Sequence, residues 1–330
     1  MITYCKFTLC SAMAFKRNNI RRRKNHHFIR LFAASLLMFS ALSYGQETSD
    51  NLEHIANQEH SANQEYNANK PILKDDFEWQ FALDFSLVYD PIIIDGIEQD
   101  DLLDYFMPGL LFDISYKGFF LQTNQRRSNA LLGGTEFGYQ LVVEDNWQLD
   151  LIAKAYMQGY DPAAEIEYGG GDKELLAGLR ERNATLGIAL RYSRYFDNSL
   201  LTLDLAATTS GDDEFDKSVR GVIVDSFYSY LLPYRNWDIY LGTGLTYFSQ
   251  DIVDYYIGVG SSEINESRAA YTAKGGFRGQ IEIYAQYPLS ESWSFNAGLT
   301  QSIYSNNVKA SPLVDTNHVI QVMLGVLYVF

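Results

Sequence analysis

The amino-acid sequence predicts an all-β protein, a transmembrane antiparallel up-and-down β-barrel of about 12 strands. Apolar side chains recur at every second position through many segments, which indicates strands with one apolar and one polar face. The connections between these segments are alternately long and short, as in barrels with short turns at one membrane surface and long loops at the other. After residue 45, no stretch approaches 18 consecutive apolar residues, so helical membrane spans are not expected.

The first strand is predicted at 77–89, where seven apolar residues from Phe77 to Tyr89 lie two positions apart. That period excludes a helix and predicts a strand with two different faces. Less regular alternation of the same kind predicts the other strands at about 108–116, 118–124, 134–144, 147–157, 180–194, 199–208, 219–231, 237–249, 275–288, 293–304 and 318–330.

The predicted connections keep their alternation along the whole chain. The long ones are 90–107, 124–133, 158–179, 209–218, 250–274 and 305–317, and each short one has only a few residues. Soluble β-sandwiches have no reason to maintain such a pattern. Together with the even number of strands, it predicts that the long loops face the outside and that both termini of the chain face the periplasm.

The last strand has a pattern typical of a barrel-closing strand. Its apolar residues alternate up to a final aromatic side chain and form the predicted signal for the barrel assembly machinery: Leu324, Val326, Tyr328 and Phe330. The alternative is a buried terminal strand of a soluble sheet, although such an exposed edge would favour aggregation.

Two segments precede the predicted barrel. Residues 1–45 contain eight basic and no acidic residues, followed by an apolar run at 31–42, which is typical of a signal peptide with a long basic n-region. The start of this segment is either Met1 or Met13. Residues 46–74 are polar, acidic and rich in Asn and Gln, so we expect a disordered periplasmic segment before the barrel at 75–330.

The composition excludes several classes of function. Eight of the 26 basic residues lie in 1–45, which leaves 18 against 41 acidic residues and a net charge of −23 for the predicted mature chain. Nucleic acid is therefore not an expected partner. Both cysteines, Cys5 and Cys10, lie in the predicted signal peptide, so we expect no thiol chemistry, disulfide, metal site or cofactor.

Charged residues occupy the faces opposite the apolar ones, and the sequence places them in the lumen. The predicted lumen charges are Glu78, Asp84, Asp113, Asp150, Lys154, Arg191, Asp204, Asp238, Arg278 and Glu282. Asp150 and Lys154 are four positions apart and share a face, as do Arg278 and Glu282, so we expect a buried network of paired charges. A selective water-filled path is the functional alternative, because 12 strands lie between barrels that side chains fill and barrels that hold a channel.

Few residues have the pattern of a catalytic or binding site. His318 is the only histidine from residue 77 onward, and no serine near it resembles a nucleophile. Residues 169–172 (GGGD) predict a flexible loop tip rather than a phosphate site, because no strand-to-helix pattern surrounds them. Acidic side chains in 95–104 and 212–216 predict solvated loops, with weak calcium binding as the alternative.

Several short motifs resemble the MipA/OmpV family of MltA-interacting outer-membrane proteins. The motifs are 255–259 (YYIGV), 271–276 (YTAKGG), 284–290 (YAQYPLS) with Trp293, 310–314 (ASPLV), 114–120 (ISYKGFF) after Pro108, and 182–187 (RNATLG). The order of these motifs along the chain also resembles that of the family.

This resemblance implies a cell outer-membrane barrel without enzymatic activity that is a scaffold for peptidoglycan-remodelling enzymes. The implied partners are a murein transglycosylase and a murein synthase, in addition to outer-membrane lipid and lipopolysaccharide. Two other functions remain open: a narrow pore for small polar solutes, suggested by the charged lumen, and an adhesin that binds through its acidic outer loops.

Overall fold

The structure, a computed structural model, describes residues 77–97, 105–123, 134–212 and 217–330. Twelve antiparallel strands in these residues form a closed barrel, in which each strand pairs with its neighbours in sequence and β1 pairs with β12. The strands are β1 (Glu78–Tyr89), β2 (Phe106–Tyr116), β3 (Phe119–Thr123), β4 (Thr135–Glu144), β5 (Trp147–Met157), β6 (Thr185–Phe196), β7 (Ser199–Asp212), β8 (Lys217–Tyr234), β9 (Trp237–Phe248), β10 (Gly276–Pro288), β11 (Trp293–Tyr304) and β12 (His318–Val329). The predicted fold class is confirmed.

Most strand boundaries agree with the predicted ones to within two residues, and three strands differ more. β6 begins at Thr185 instead of near 180, because the preceding residues belong to a folded part of the long connection. β7 and β8 extend beyond their predicted ends and pair with each other as far as Asp212 and Lys217. Most of the loop predicted at 209–218 is therefore strand.

Short helices lie in the long connections. They are α1 (Pro162–Ala164), a π-helical turn (Glu165–Gly169), α2 (Lys173–Leu176), α3 (Gln250–Ile257), a 3₁₀ turn (Ser261–Glu263) and α4 (Asn306–Lys309). Asp161 and Asp172 begin α1 and α2 by accepting hydrogen bonds from backbone N–H groups of the first turn. Within the described residues, no helix has the length and apolarity needed to cross a membrane.

The two faces of each strand differ as the alternation predicts. On β1, Phe85 and Leu87 are 39% and 49% exposed, whereas Asp84 and Ser86 are 1% and 0% exposed. Exposed apolar side chains continue around the outer surface on the other strands, for example Leu110, Leu121, Phe137, Leu151, Ile188, Leu205, Val222, Leu245, Ile281, Leu299 and Ile320. A continuous apolar outer surface and a polar interior are the arrangement that a lipid bilayer stabilises.

The last strand closes the barrel against the first. Leu324, Val326 and Tyr328 pair with Leu87, Phe85 and Leu83, so these side chains lie on the outer face of the seam. The backbone N–H of Phe330 donates to the carbonyl of Phe81 at 3.3 Å, just beyond the end of β12. Their role as an assembly signal stays a prediction. The segments predicted at 1–45 and 46–74 lie outside the described residues.

Candidate functional site in the barrel interior

Among the inward side chains of β4 to β9, three successive rows carry the ion pairs and the apolar contacts, because inward residues of neighbouring strands pair in register. The lower row, on the short-turn side of the other two, contains Asp150, Arg191, Asp204, Asp225 and Thr246. The middle row contains Ile152, Ala189, Ala206, Ile223 and Phe248. The upper row, nearest the long loops, contains Glu136, Lys154, Gly187, Thr208 and Gly221. An apolar row thus separates two polar ones.

Arg191 is the centre of the interior ion pairs. Its Nε and Nη2 atoms donate to the two carboxylate oxygens of Asp204 at 2.8 and 3.0 Å. Its Nη1 and Nη2 atoms donate to the two oxygens of Glu136, also at 2.8 and 3.0 Å. Paired contacts of this kind fix the plane of the guanidinium group, so Arg191 holds β4 and β7 in one arrangement.

Lys154 completes the network from the upper row. Its Nζ atom lies 2.8 Å from Asp204 Oδ2, and the hydroxyl of Tyr156 donates to the same oxygen at 3.3 Å. This contact crosses the middle row beside Ala189 and Ala206, the two smallest side chains of that row. Small residues between the polar rows therefore allow charges of the two rows to meet.

Asp150 and Lys154 share a face of β5, as expected, but each has a different partner. Asp150 accepts a hydrogen bond from Gln148 at 2.7 Å, while Lys154 pairs with Asp204. Residues four apart on a strand are separated by about 13 Å along it, whereas neighbouring strands are only about 5 Å apart. Cross-strand partners are therefore closer. For the same reason Arg278 donates across to Thr246 at 3.3 Å.

Glu136 was missed by the sequence analysis, although it belongs to the network. It is 1% exposed, binds Arg191 and accepts a hydrogen bond from Gln122 at 2.6 Å. The signal was present, because Glu136 precedes the outward Phe137 in a predicted strand and alternation places it in the lumen.

The remaining predicted lumen charges differ in their surroundings. Asp84 accepts hydrogen bonds from Ser86 and, at 2.6 Å, from Asn296, and Glu282 accepts one from Gln280 at 3.4 Å. Asp113 lies between Gln80 and Gln122 in the strand register. Glu78 and Asp238 lie at the short-turn ends of β1 and β9, so they line the rim instead of the centre.

Side chains fill the described part of the barrel interior. Asp204 and Glu282 are each 3% exposed, and Asn296 is fully buried. A water-filled channel past these residues would leave them accessible to water. Glycines on the wall make room for large neighbours: a Cβ at position 242 would lie 2.7 Å from the ring of Phe227. These buried carboxylates are consequently held by ion pairs or side-chain hydrogen bonds rather than by water.

A folded cap covers the long-loop end; we define it as residues 92–97, 158–184, 249–275 and 305–317. Its apolar side chains form one cluster with the middle row of the barrel. The cap residues of this cluster are Ile94, Tyr160, Leu176, Ile252, Val253, Tyr255, Tyr256, Ile257, Val259, Ala273, Val308, Leu313 and Val314. Helix α3 lies close to the inner wall, because a Cβ at position 221 would be only 2.4 Å from Ile252.

A buried ion pair joins two loops of the cap. Arg182 is completely buried, and its Nη2 atom lies 2.9 Å from Glu263 Oε1. Burial raises the pKa of Glu263, but the hydrogen bond from the N–H of Gly260 and the charge of Arg182 together hold this pKa below its usual value. Glu263 is thus a charged group on which the closed cap depends.

Further polar contacts lock the same loops. Arg268 donates from its guanidinium group to the carbonyl oxygens of Glu263, Leu175 and Ala177 at 2.8, 2.6 and 2.9 Å. The hydroxyl of Tyr160 donates to the carbonyl of Tyr256 at 2.7 Å, and burial raises the pKa of Tyr160 to about 12. These contacts satisfy buried loop carbonyls, which would otherwise destabilise the cap.

The motifs considered for chemistry take structural positions. Residues 169–172 are not a flexible tip: Gly169 ends the π-helical turn, and the N–H of Asp172 donates to the carbonyl of Gly96 at 2.8 Å. His318 is exposed, and its Nδ1 atom lies 3.1 Å from the hydroxyl of Thr316. Across the described ranges, no group of three or more His, Cys, Asp or Glu side chains is arranged to hold a metal. The acidic residues at 98–104 and 213–216 lie outside these ranges.

Comparison with known proteins decides the family. The family model described as "MltA-interacting protein MipA" matches residues 85–330, which include the interior network, the cap and the closing strand. The chain belongs to the MipA family. Because relatives of this MipA-family protein are named outer-membrane proteins, its predicted location in the outer membrane is confirmed.

The curated relatives are distant from this MipA-family protein. The 24 kDa outer membrane protein of Pasteurella multocida is 24% identical over 68% of this chain and 81% of its own length. OmpV of Vibrio cholerae is 24% identical over 48% of this chain, and the MltA-interacting protein of Escherichia coli K12 is 25% identical over 46%. The matches span 59% of the length of each of these two relatives.

Among solved structures, the outer-membrane channel DcaP of Acinetobacter baumannii matches 79% of the chain and 99% of its own length. The sequence identity is 7% and the TM-score is 0.37. The NanC porin gives a TM-score of 0.36 at 7% identity, over 75% of this chain and 98% of its own.

Proposed function

We propose that this MipA-family barrel is a non-enzymatic, non-conducting outer-membrane platform that docks peptidoglycan-remodelling enzymes on its periplasmic side. The observation that carries the proposal is the filled interior: paired charges such as Arg191 and Asp204 occupy the position where a channel would run. A barrel that holds no water path is better suited to anchoring partners than to passing solutes.

The kind of partner is inferred from the family. One relative is named MltA-interacting protein, and the name indicates binding to a single class of cell-wall enzyme, a murein transglycosylase. The short turns and residues 46–74 are the parts of this chain that we expect on the periplasmic side. We propose that they form the docking surface for a transglycosylase and, with it, a murein synthase.

Affinity capture tests the docking function. Purified barrel, immobilised in detergent, is incubated with a purified murein transglycosylase, alone and together with a murein synthase, and a matched barrel lacking residues 46–74 is treated in parallel. We expect capture by the intact protein and weaker capture without this segment. Failure of both forms to retain either enzyme would remove the proposal.

A narrow pore is the second candidate function, and one observation favours it. Five inward polar atoms are buried without a hydrogen-bond partner among the described residues: Ser115 Oγ, Thr208 Oγ1, Arg278 Nε, Asn296 Oδ1 and Thr300 Oγ1. Groups of this kind would be satisfied by water in an open state. Planar-bilayer recording separates the two functions, since a platform gives no conductance and a pore gives steps that change in the Arg191→Gln variant.

A further inference from the structure

Three basic side chains at the short-turn end lie over aromatic rings that face outward. Lys117 Nζ is 5.1 Å from the ring centre of Tyr116, Arg235 Cζ is 5.4 Å from that of Tyr234, and Arg194 Cζ is 5.9 Å from that of Phe196. The three rings are between 47% and 56% exposed. The three pairs lie on different hairpins, β2–β3, β6–β7 and β8–β9.

The backbone at two of these positions has an unfavourable conformation. Lys117 and Arg235 have φ angles of 51° and 55°, and among the described residues they are the only non-glycine residues with positive φ. Both begin two-residue turns, where Gly, Asn or Asp is the favoured residue because a larger side chain is strained. A long cation at a position that favours glycine indicates a function that outweighs the strain.

The tryptophans fix the level of these cations relative to the membrane. Their positions are Trp79, Trp147, Trp237 and Trp293, which lie at the short-turn ends of β1, β5, β9 and β11. Tryptophan is enriched where a barrel crosses from hydrocarbon to the headgroups. Lys117, Arg194 and Arg235 lie at the same end of the barrel, and their rings continue the apolar outer surface.

We propose that Lys117, Arg194 and Arg235 bind the phosphodiester headgroups of anionic phospholipids in the membrane leaflet at the short-turn end. Each ring packs against the lipid at the boundary, and its cation lies at the level of the phosphate. The contact with a ring uses no N–H donor, so the ammonium and guanidinium groups keep donors for phosphate oxygens. Arg194 uses one of its N–H groups, on Nη1, to donate a hydrogen bond to Asn146 Oδ1 at 2.8 Å.

Overall charge does not explain such binding. The chain has a formal net charge of −15, and the neighbouring short turns carry the carboxylates Asp145 and Asp197. An attraction for anionic lipid must therefore come from these three local positions. This inference is independent of the proposed docking of cell-wall enzymes, because it concerns the lipid-facing rim and needs no protein partner.

Quenching of the fluorescence of the four tryptophans at the short-turn end tests the proposal. The full-length barrel is reconstituted into vesicles of phosphatidylcholine that contain either brominated phosphatidylglycerol or brominated phosphatidylcholine, which quench nearby tryptophans. We expect phosphatidylglycerol to be preferred by about two- to fivefold, since a cation near a membrane surface contributes up to about 1 kcal/mol. The preference should weaken at high ionic strength.

A triple variant, Lys117→Gly, Arg194→Gln and Arg235→Gly, should reduce the preference to about one while its urea unfolding midpoint stays equal or rises, because glycine relieves the strain. The matched control, Lys274→Gln with Lys309→Gln at the long-loop end, should keep the preference. Equal quenching by both lipids in the wild type would overturn the proposal. A preference that survives in the triple variant, or one that the control loses equally, would also overturn it.

Discussion

Lys154 on β5 forms an ion pair with Asp204 on β7, two strands away along the inner wall of the barrel, at 2.8 Å. The same carboxylate binds Arg191, so two buried cations depend on one anion. Both cations also lie near Glu136, whose side chain is 1% exposed. Loss of the charge of Asp204 would therefore leave two buried cations without this partner.

Replacing Asp204 by Asn should destabilise the barrel by about 3–5 kcal/mol, the usual cost of leaving buried charges without a partner. Urea unfolding of the refolded protein in micelles, followed by tryptophan fluorescence, measures this change. Asp238→Asn is the matched control, because the same atoms change near the rim, where the side chain is only partly buried. Equal losses in both variants would contradict a special role of the network.

The small side chains of the middle row give a second prediction. Ala189 is 1% exposed and lies between the polar rows, so Ala189→Leu should force the ion pairs apart and cost about 1–3 kcal/mol. Ala153→Leu makes the same change on the lipid-facing side of β5 and should be nearly neutral. The same unfolding measurement compares the two, and a neutral Ala189→Leu variant would show that the rows are not tightly packed.

The cap should lose stability in acid. Because the pKa of Glu263 is lower in the folded cap than its usual value of 4.5, its charge stabilises the cap above that pH. This stability disappears as the pH falls below 4.5 through the folded pKa. Hydrogen exchange of peptides from 249–275, corrected for the intrinsic rate, should show faster opening at pH 3.5 than at pH 7.

The Glu263→Gln variant separates this effect from general acid unfolding. Its cap should already open faster at pH 7 and should change less with pH, since the titrating group is gone. Glu174→Gln, an exposed replacement on α2 within the cap, is the control and should behave like the wild type. A Glu263→Gln variant with wild-type exchange at pH 7 would contradict the role given to the ion pair.

The sequence was sufficient for the features that depend on local alternation. Asp84 and Phe85 are neighbours with opposite exposure, and this single period of two determined both the strand positions and the faces. This alternation could not identify partners such as Lys154 and Asp204, because their contact depends on the pairing register between neighbouring strands. The cap could not be predicted from local patterns either. Arg182 and Glu263 are 81 residues apart, and the polar residues of a folded loop cannot be told from those of a solvent-exposed loop by sequence alone.

Phe330 provides the last prediction, which concerns assembly rather than stability. Its backbone bonds to Phe81, and its ring lies 5.1 Å from that of Tyr328, so it extends the closing strand by one residue at the seam. Phe330 belongs to the predicted assembly signal, so its deletion should strongly reduce the folded, heat-modifiable fraction in outer membranes. Refolding of the same variant in detergent should be nearly normal, because the deletion removes one backbone hydrogen bond and one ring contact at the end of the strand. Phe330→Tyr keeps an aromatic ring and should assemble normally. Normal assembly of the deletion variant would show that Phe330 is not part of the assembly signal.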